Sequence, residues 1–243
     1  WYPGIESLRY ISTQGGRRPK IVGILHAGTY DSNDFTYRSG MRPWGHSLEA
    51  AWFNIYDLIF VATQYHKSLI LRSHQLPDTK IQVTGLPFYP AELQQFRAGK
   101  ESIVVFPHRL DAEKQPEEFL ALREQFPDIG YQWIRSYDVC QTKADYYRLL
   151  GRATVSVSLS LQETFGIAML ETVALGCLPL VPNRLSYPEL YPPTFRYSTL
   201  SELLCKIRLF CQNANSFLPQ ARELGLRQAA YLGSSIERML ELL

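Results

Sequence analysis

The chain has 243 residues, of which 46% are hydrophobic and 20% are charged, and its formal net charge is +2. This composition is typical of a globular protein with apolar cores and excludes a disordered chain. The small net charge gives no reason to expect nucleic acid or an anionic membrane as a partner. No apolar run approaches the roughly 20 residues that a membrane-spanning helix needs. The first residues, WYPGIESLRYIST, also lack the layout of a signal peptide.

The first 90 residues alternate between apolar, β-branched runs and segments with helical periodicity. We predict buried strands and intervening helices in this order: strand 20–28, helix 46–56, strand 57–63, helix 64–75 and strand 80–88. Residues 29–45, rich in Asp, Asn, Gly and Pro, are predicted to form an ordered loop. Such alternation favours a parallel α/β sheet.

A break in the alternation follows, because the run PFYPAELQQFRAGKES contains two prolines and several charged residues. We interpret residues 91–101 as a linker between two lobes, which cover residues 1–90 and 102–243. The alternation then restarts: strand 102–107, helix 116–126, strand 131–136, helix 143–152, strand 153–159, helix 165–176, strand 177–182 and a mainly helical tail from residue 201. The predicted fold class is therefore α/β with two lobes.

The run LQETFGIAMLETVALGCLPL keeps polar residues within an apolar stretch. It follows a predicted parallel strand, at the carboxyl end where open α/β sheets bind ligands. The helix is predicted to begin near Phe165, so the backbone N–H groups of Phe165, Gly166 and Ile167 would point out of its first turn. These amides and the helix dipole form an anion site, and Gly166 lets a phosphate approach the backbone.

Glu163 and Glu171 stand on either side of this helix start. The carboxylate of Glu171 can accept hydrogen bonds from a vicinal diol such as a ribose, and Glu163 can meet a second polyol. Amides for a diphosphate between two such carboxylates describe a nucleotide-sugar site. The alternative is an amphipathic helix on which Glu171 is merely solvated, and either glutamate alone would favour that interpretation.

A second pattern lies after the predicted strand 102–107, where Arg109 and Lys114 stand five residues apart in a loop. Two cations at a strand end can neutralise a diphosphate, Arg109 through its planar fork and Lys114 as a point charge. The alternative is ordinary loop charge, offset by the neighbouring acidic residues Asp111, Glu113, Glu117 and Glu118.

These motifs together resemble a known family. The run ETFGIAMLE, followed by ALGCLPLVPN and SYPEL, resembles the donor-site signature of the retaining GT-B glycosyltransferases of the large family-four group, and HRLDAEKQPE resembles the segment that opens their C-terminal lobe. More narrowly, FPHRLDAEKQPEEF, FGIAMLETVALGCLPLVPNRLSYPELYP and FRYSTLSELL are similar to the tRNA-queuosine mannosyltransferase group. The resemblance covers residues 80–210. It implies two Rossmann-like lobes, of which the N-terminal one looks truncated.

The resemblance implies a nucleotide-diphosphate sugar as the donor, with GDP- and UDP-sugars as the candidates, and transfer with retention at the anomeric carbon. It also implies that usually no metal is bound, and no other cofactor is expected. Arg109 and Lys114 would hold the diphosphate with help from the amides of residues 165–167. Glu171 would bind the ribose and Glu163 the transferred sugar. The acceptor stays open, with tRNA suggested by the resemblance alone.

Three further residues are candidates with open alternatives. His26 would lie near the transferred sugar by the family pattern, although a lone histidine is as readily structural. His108 either lines the donor site or packs against its neighbours. Tyr187, together with Glu189, either touches the nucleotide or shapes a loop. Acceptor contacts are predicted for Asp31, Asp34 and Arg38, and surface or packing roles for His46, His66 and His74.

Four cysteines, Cys140, Cys177, Cys205 and Cys211, show no CxxC pair and no spacing that suits zinc. They are predicted to be small buried side chains in a reduced, cytoplasmic protein.

Two other functions use the same features. A two-lobed sugar-nucleotide epimerase would also bind a diphosphate but would transfer nothing to an acceptor. A non-catalytic domain could retain the nucleotide pocket.

Overall fold

The computed structural model describes residues 4–126 and 130–243, which divide into two compact units. The first unit comprises residues 4–87 and Ser234–Leu243, and the second comprises Phe88–Gly233. The strands are β1 Val22–Ile24, β2 Leu58–Val61, β3 Ile81–Val83, β4 Glu101–Phe106, β5 Gln132–Arg135, β6 Ala153–Val157, β7 Leu178–Pro182 and β8 Arg196–Tyr197.

The α-helices, numbered in chain order, include every helix that the sequence predicts. They are α1 Ile5–Gln14, α2 Arg42–Ile55, α3 Gln64–Ser73, α4 Pro116–Glu124, α5 Ser136–Val139, α6 Lys143–Arg152, α7 Ile167–Ala174, α8 Tyr187–Leu190, α9 Leu200–Gly233 and α10 Ser235–Glu241. None of the helices in the described ranges combines the length and the apolar character needed to cross a bilayer.

The sheet of the first unit has three parallel strands in the order β1-β2-β3. Ile59 of β2 lies opposite Gly23 on one side and Ile81 on the other. Phe53 of α2 and Ile70 of α3 pack with these strands into one buried cluster. The predicted strands are therefore confirmed in the first unit, but each is shorter than its apolar run because the flanking residues turn into loops.

The helix α10 belongs to the first unit, although the sequence assigned residues 102–243 to the second lobe. The guanidinium of Arg238 donates to the carbonyl of Thr84 through Nη2 at 2.6 Å and Nε at 3.0 Å. The Lys20 amine likewise donates to the carbonyl of Leu243 at 2.8 Å. Such long-range bonds to carbonyl oxygens leave no local pattern in the sequence.

The sheet of the second unit is parallel throughout and has the order β5-β4-β6-β7-β8. Its middle strand β6 is buried along its whole length, as expected for a parallel sheet covered on both faces. This is a Rossmann-like α/β unit, and the predicted α/β class is confirmed for it. The two-residue strand β8 escaped prediction because so short an edge strand has no periodicity.

Residues 91–101, predicted to be a linker, instead pack within the second unit. Pro90–Phe96 forms a short 3-10 helix, and the two cations behind it bond to helix ends. Arg97 donates to the carbonyl of Ala174 at 2.8 Å, and Lys100 donates to the carbonyl of Leu175 at 2.8 Å. Since the last carbonyls of a helix lack partners and carry partial negative charge, these cations cap α7. The charges that suggested a linker serve this purpose.

Replacement of Gly151 in α6 by alanine tests this packing. A Cβ atom at Gly151 would lie 1.9 Å from the carbonyl oxygen of Phe96, so the 3-10 helix must move away. We expect Gly151→Ala to lower the free energy of unfolding by about 1–3 kcal/mol, although alanine favours helices more than glycine does. Urea denaturation followed by circular dichroism measures the change.

The matched control is Gly99→Ala, because a Cβ atom at Gly99 meets no atom within 4 Å. Equal stability of the two variants would contradict the packing of residues 90–96 against α6.

Candidate active site

The loops that follow β4 and β6 meet at the carboxyl ends of these adjacent strands. Lys114 Nζ donates to the carbonyl oxygen of Gln162 at 2.6 Å, and the backbone N–H of Leu161 donates to the carbonyl of Glu113 at 2.7 Å. The carboxyl edge of a parallel sheet is where open α/β folds bind ligands. The two sequence motifs are thereby brought together at the predicted edge.

The carboxylate of Glu163 lies at the centre of this meeting point. Its Oε2 atom is 3.2 Å from Lys114 Nζ, and its Oε1 atom accepts the backbone N–H groups of Phe165 at 3.3 Å and Gly166 at 2.8 Å. The side chains of Lys114 and Glu163 are only 8% and 16% exposed. The cation and the amides predicted to bind an anion do converge, and the anion they bind here is the protein's own carboxylate.

The amides of Phe165 and Gly166 were predicted to face a phosphate, but both donate to the carboxylate of Glu163. A carboxylate two or three residues upstream can reach the backbone N–H groups of a turn, and that local bond forms here. Helix α7 begins at Ile167, two residues after the predicted start near Phe165, and the side chain of Ile167 is half exposed. Gly166 has φ +82°, and a Cβ atom there would lie 3.1 Å from the Tyr187 ring. Both constraints require glycine.

Arg109 is the exposed cation of the group. Its Nη2 atom donates to Glu113 Oε1 at 3.0 Å, and its Nε atom pairs with Asp111. Its side chain is 60% exposed, whereas that of Glu113 is buried. Because a guanidinium has five N–H donors, Arg109 keeps donors for a ligand while both acids hold it.

His108 is buried beside these cations. Burial, followed by the positive charges of Lys114 and Arg109, lowers its pKa to about 3. Its ring and the Phe106 ring form a T-shaped pair with 5.2 Å between centroids. Among the described residues, its Nε2 atom is buried and has no hydrogen-bond partner. A neutral imidazole with an unused nitrogen thus lies within the predicted donor site, in contact with the core.

Glu171 is neither solvated nor open to a ligand. Its Oε1 atom accepts from Lys143 Nζ at 3.0 Å and from the Tyr147 hydroxyl at 2.9 Å, and its Oε2 atom accepts from the Tyr146 hydroxyl at 3.0 Å. Burial and the nearby Glu171 charge raise the pKa of Tyr146 well above its ordinary value, so this hydroxyl keeps its proton. The Tyr146 oxygen also lies 3.3 Å from the carbonyl of Pro107.

The three donors to Glu171 were missed by sequence reasoning. Lys143, Tyr146 and Tyr147 stand at spacing i, i+3 and i+4 on α6 and therefore share one face of that helix. The signal was present as a lysine followed by two tyrosines. Only the sheet order, which sets α6 near α7, shows which acid they meet.

Tyr187 is fully buried, so the prediction that it touches the nucleotide does not fit its position. Its ring lies beneath Gly166, and its hydroxyl is 2.7 Å from Ser158 Oγ. It supports the loop, as the alternative interpretation expected. The neighbouring Glu189 is exposed. The serines at alternate positions in VSVSLS, Ser156, Ser158 and Ser160, are buried polar groups that sequence reasoning had not singled out.

The remaining candidates lie in the first unit. His26 is exposed and follows β1 by two residues. Asp31 and Asp34 are buried, and each accepts the backbone N–H two residues further on, at 3.0 and 2.8 Å. These aspartates hold their own loop, which the prediction of acceptor contacts did not anticipate. Arg38 is exposed.

Comparison with known proteins adds sequence and fold relatives. No protein-family profile matches the chain. A tRNA-queuosine alpha-mannosyltransferase of Drosophila melanogaster is 33% identical over 105 residues, which are 43% of this chain and 26% of that protein. The chain thus matches about a quarter of the length of this curated relative.

Solved structures match nearly the whole chain at low sequence identity. Sucrose-phosphate synthase from Thermosynechococcus elongatus has a TM-score of 0.74 and 15% identity, covering 98% of this chain and 76% of its own. HepE of Anabaena, in complex with UDP and glucose, has a TM-score of 0.71 and 13% identity with the same coverage. WaaG, a glycosyltransferase involved in lipopolysaccharide biosynthesis, has a TM-score of 0.65 and 14% identity, and the match covers 97% of this chain and 80% of WaaG. The resemblance to the GT-B glycosyltransferases is confirmed.

The buried histidines predict a pH dependence of stability. The pKa of His108 is lowered to about 3 by burial and by the two cations, and the pKa of His66 is lowered to about 3 by burial and by His26. The unfolded chain binds these protons near pH 6.5 and the folded chain does not. Stability is therefore fully present above pH 6.5 and falls as the pH decreases toward 3, by up to about 1.4 kcal/mol per pH unit for each histidine.

Urea denaturation at several pH values between 7 and 4.5 measures this slope. We expect His108→Asn to flatten it and Gly99→Ala, which alters no titratable group and meets no atom within 4 Å, to leave it nearly unchanged. A parent slope retained in His108→Asn would contradict the assignment, as would an NMR titration of the His108 ring with a midpoint near 6.5.

Proposed function

We propose that this chain, whose motifs and fold resemble those of the GT-B glycosyltransferases, is the donor-binding part of a retaining glycosyltransferase. It would transfer a sugar from a nucleotide-diphosphate sugar to an acceptor hydroxyl. The observation that supports this most directly is the convergence of Lys114 and two backbone amides on Glu163, beside Arg109, at the carboxyl edge of a parallel sheet. The activity of the whole protein is part of the proposal, because the chain covers a quarter of its sequence relative.

We assign the two units to the two Rossmann-like lobes of a GT-B fold. The second unit, with its five-stranded sheet, is the nucleotide-sugar lobe, and the first unit, with three strands, is a partial acceptor-side lobe. The role of His26 near the transferred sugar and the cytoplasmic location stay predictions from the sequence.

The diphosphate would be held by the two cations. The ammonium of Lys114 has three N–H donors, of which two go to Gln162 and Glu163, so one is left for a phosphate oxygen. Arg109, more exposed, adds a fork that suits phosphate. As the glycosidic bond breaks, negative charge accumulates on the departing diphosphate, and these fixed positive charges stabilise that transition state. The leaving phosphate oxygen can then accept the proton of the acceptor hydroxyl.

Glu163 would bind the transferred sugar. Three of its four lone-pair positions accept from Lys114 and from the amides of Phe165 and Gly166. The fourth, on Oε2, can accept a sugar hydroxyl. The amides then fix the carboxylate in place instead of binding phosphate, which revises the role that the sequence suggested for them.

Glu171 would bind the ribose only after a rearrangement. Its three donors occupy most of its lone pairs, and a vicinal diol needs two. Lys143 is the donor that can leave, because its side chain is 65% exposed. Its ammonium group would then be hydrated by solvent instead of donating to Glu171. The two tyrosines stay and keep the carboxylate oriented.

Mannose is the first sugar to test, and a queuosine-containing tRNA the first acceptor, because the sequence relative is named for that transfer. GDP and UDP are both candidate carriers. Product analysis separates this proposal from the epimerase alternative. An epimer of the donor formed without any acceptor would contradict transfer.

A thermal-shift panel with UDP-, GDP- and ADP-sugars tests the site and identifies the donor. A ligand that binds only the folded state raises its stability, by about 2.7 kcal/mol at 100 times the dissociation constant. We expect one nucleotide series to raise Tm and its free sugar to have no effect. No shift with any member at millimolar concentration would contradict a donor site.

Variants of the cations test their roles by calorimetry with the donor found in that panel. A charge-assisted hydrogen bond contributes about 1.5–3 kcal/mol, so Lys114→Ala and Arg109→Ala should each weaken binding roughly 10- to 100-fold. The control is Arg152→Ala, which removes an exposed ion pair with Glu101. Arg109 is exposed, so its variant stays informative if loss of the buried Lys114 impairs folding. Unchanged binding by both variants would refute the diphosphate assignment.

A further inference from the structure

Two histidines and a glutamate form a cluster in the first unit that has no part in the proposed function. His46 and Glu49 lie one turn apart on α2, and His74 directly follows α3. One ligand atom from each of the three side chains can be chosen so that all lie within 4.8 Å of one another. Glu49 and His74 are buried and His46 is partly buried.

The nitrogens of this cluster lack the partners that buried polar atoms normally have. Within the described residues, His46 Nδ1 and His74 Nε2 are buried and make no hydrogen bond. His74 Nε2 lies 3.5 Å from Glu49 Oε2, which is too long for a good hydrogen bond. Since buried side-chain nitrogens are rarely left unsatisfied, this arrangement calls for a further partner.

We propose that His46, Glu49 and His74 bind a transition-metal dication, with zinc as the occupant. Neutral imidazole and carboxylate are ligands that zinc prefers, and two histidines with one glutamate form a known zinc set that leaves a fourth position open. Tetrahedral zinc with bonds of about 2.0–2.1 Å sets neighbouring ligand atoms roughly 3.3 Å apart. The pair at 3.5 Å nearly has this spacing, and small side-chain rotations close the remaining distances.

The surroundings of Glu49 resemble the support that metal-binding carboxylates need. Its Oε1 atom accepts the backbone N–H of Thr29 at 2.7 Å, and its Oε2 atom accepts the hydroxyl of Thr29 at 2.5 Å. Thr29 is fully buried, and the rings of Phe53 and His74 form a T-shaped pair with 4.8 Å between centroids. The carboxylate is thereby oriented before a cation arrives, and an apolar wall protects the site.

A bound ion would connect two helices that pack against the same sheet. His46 and Glu49 belong to α2, and His74 to the end of α3, so the metal would tie these elements together and stabilise the first unit. The rings of His46 and His74 already stack with 4.2 Å between centroids and 22° between planes, and their rotation about the ion would complete the site.

Cobalt binding tests the site directly. The untagged chain is treated with a chelator, dialysed and titrated with Co²⁺ while visible absorption is recorded. We expect one equivalent to bind with the absorption of a four- or five-coordinate ion, Zn²⁺ to displace it, and Zn²⁺ to raise Tm. A spectrum of hexaaqua Co²⁺ throughout the titration would overturn the proposal.

Variants then assign the ligands. His46→Gln and Glu49→Gln should abolish the cobalt spectrum, and Thr29→Val, which removes only a supporting hydroxyl, should weaken binding about 10- to 100-fold. His26→Asn, which alters an exposed histidine of the same unit, should bind as the parent does. Circular dichroism of the metal-free variants verifies their folding, and Thr29→Val keeps all three ligands if a ligand variant fails to fold. Parent-like binding by His46→Gln and Glu49→Gln, or by Thr29→Val, would overturn the assignment.

Discussion

The loops of the second unit are joined by a largely buried ion pair between Lys114 and Glu163. Two charges removed from water are tolerated only when further hydrogen bonds satisfy them, and here the carbonyl of Gln162 and the amides of Phe165 and Gly166 supply those bonds. The loops after β4 and β6 are thereby fixed to each other. Loss of the Glu163 charge would leave the ammonium of Lys114 buried without its counter-ion. The proposed function uses the same pair, because a preorganised cation and a preorganised carboxylate need little rearrangement to meet a charged substrate.

The two glutamates of the run ETFGIAMLE have different environments. Glu163 lies at the sheet edge, and three donors occupy three of its four lone-pair positions. Glu171, in contrast, is enclosed by donors from α6. Donor binding would therefore change the surroundings of Glu171 more than those of Glu163. The exposed ammonium of Lys143 is the mobile part of this arrangement, and the buried tyrosine hydroxyls are the fixed part.

Several charged residues outside the site bond to backbone carbonyl groups, and composition alone does not reveal this structural role. Arg97 and Lys100, in the segment predicted to link two lobes, bond to the carbonyl end of α7. Arg238 donates to the carbonyl of Thr84, directly after β3, and this bond connects α10 to the rest of the first unit. Clusters of charge and proline are typical of linkers, but in this chain they mark places where cations satisfy carbonyls that helices and strands leave unpaired.

The sequence by itself determined every described strand except β8, most helices and the positions of Arg109, Lys114 and Glu163 after strand ends. It could do so because periodicity and the geometry of parallel sheets are local rules. Only the tertiary structure decided that α6 supplies the donors for Glu171. It also brought His74 to His46 and Glu49 across a helix and a strand. Hydrogen-bond partners and metal ligands far apart in the chain are chosen by sheet order and helix packing, which leave no fixed spacing in the sequence.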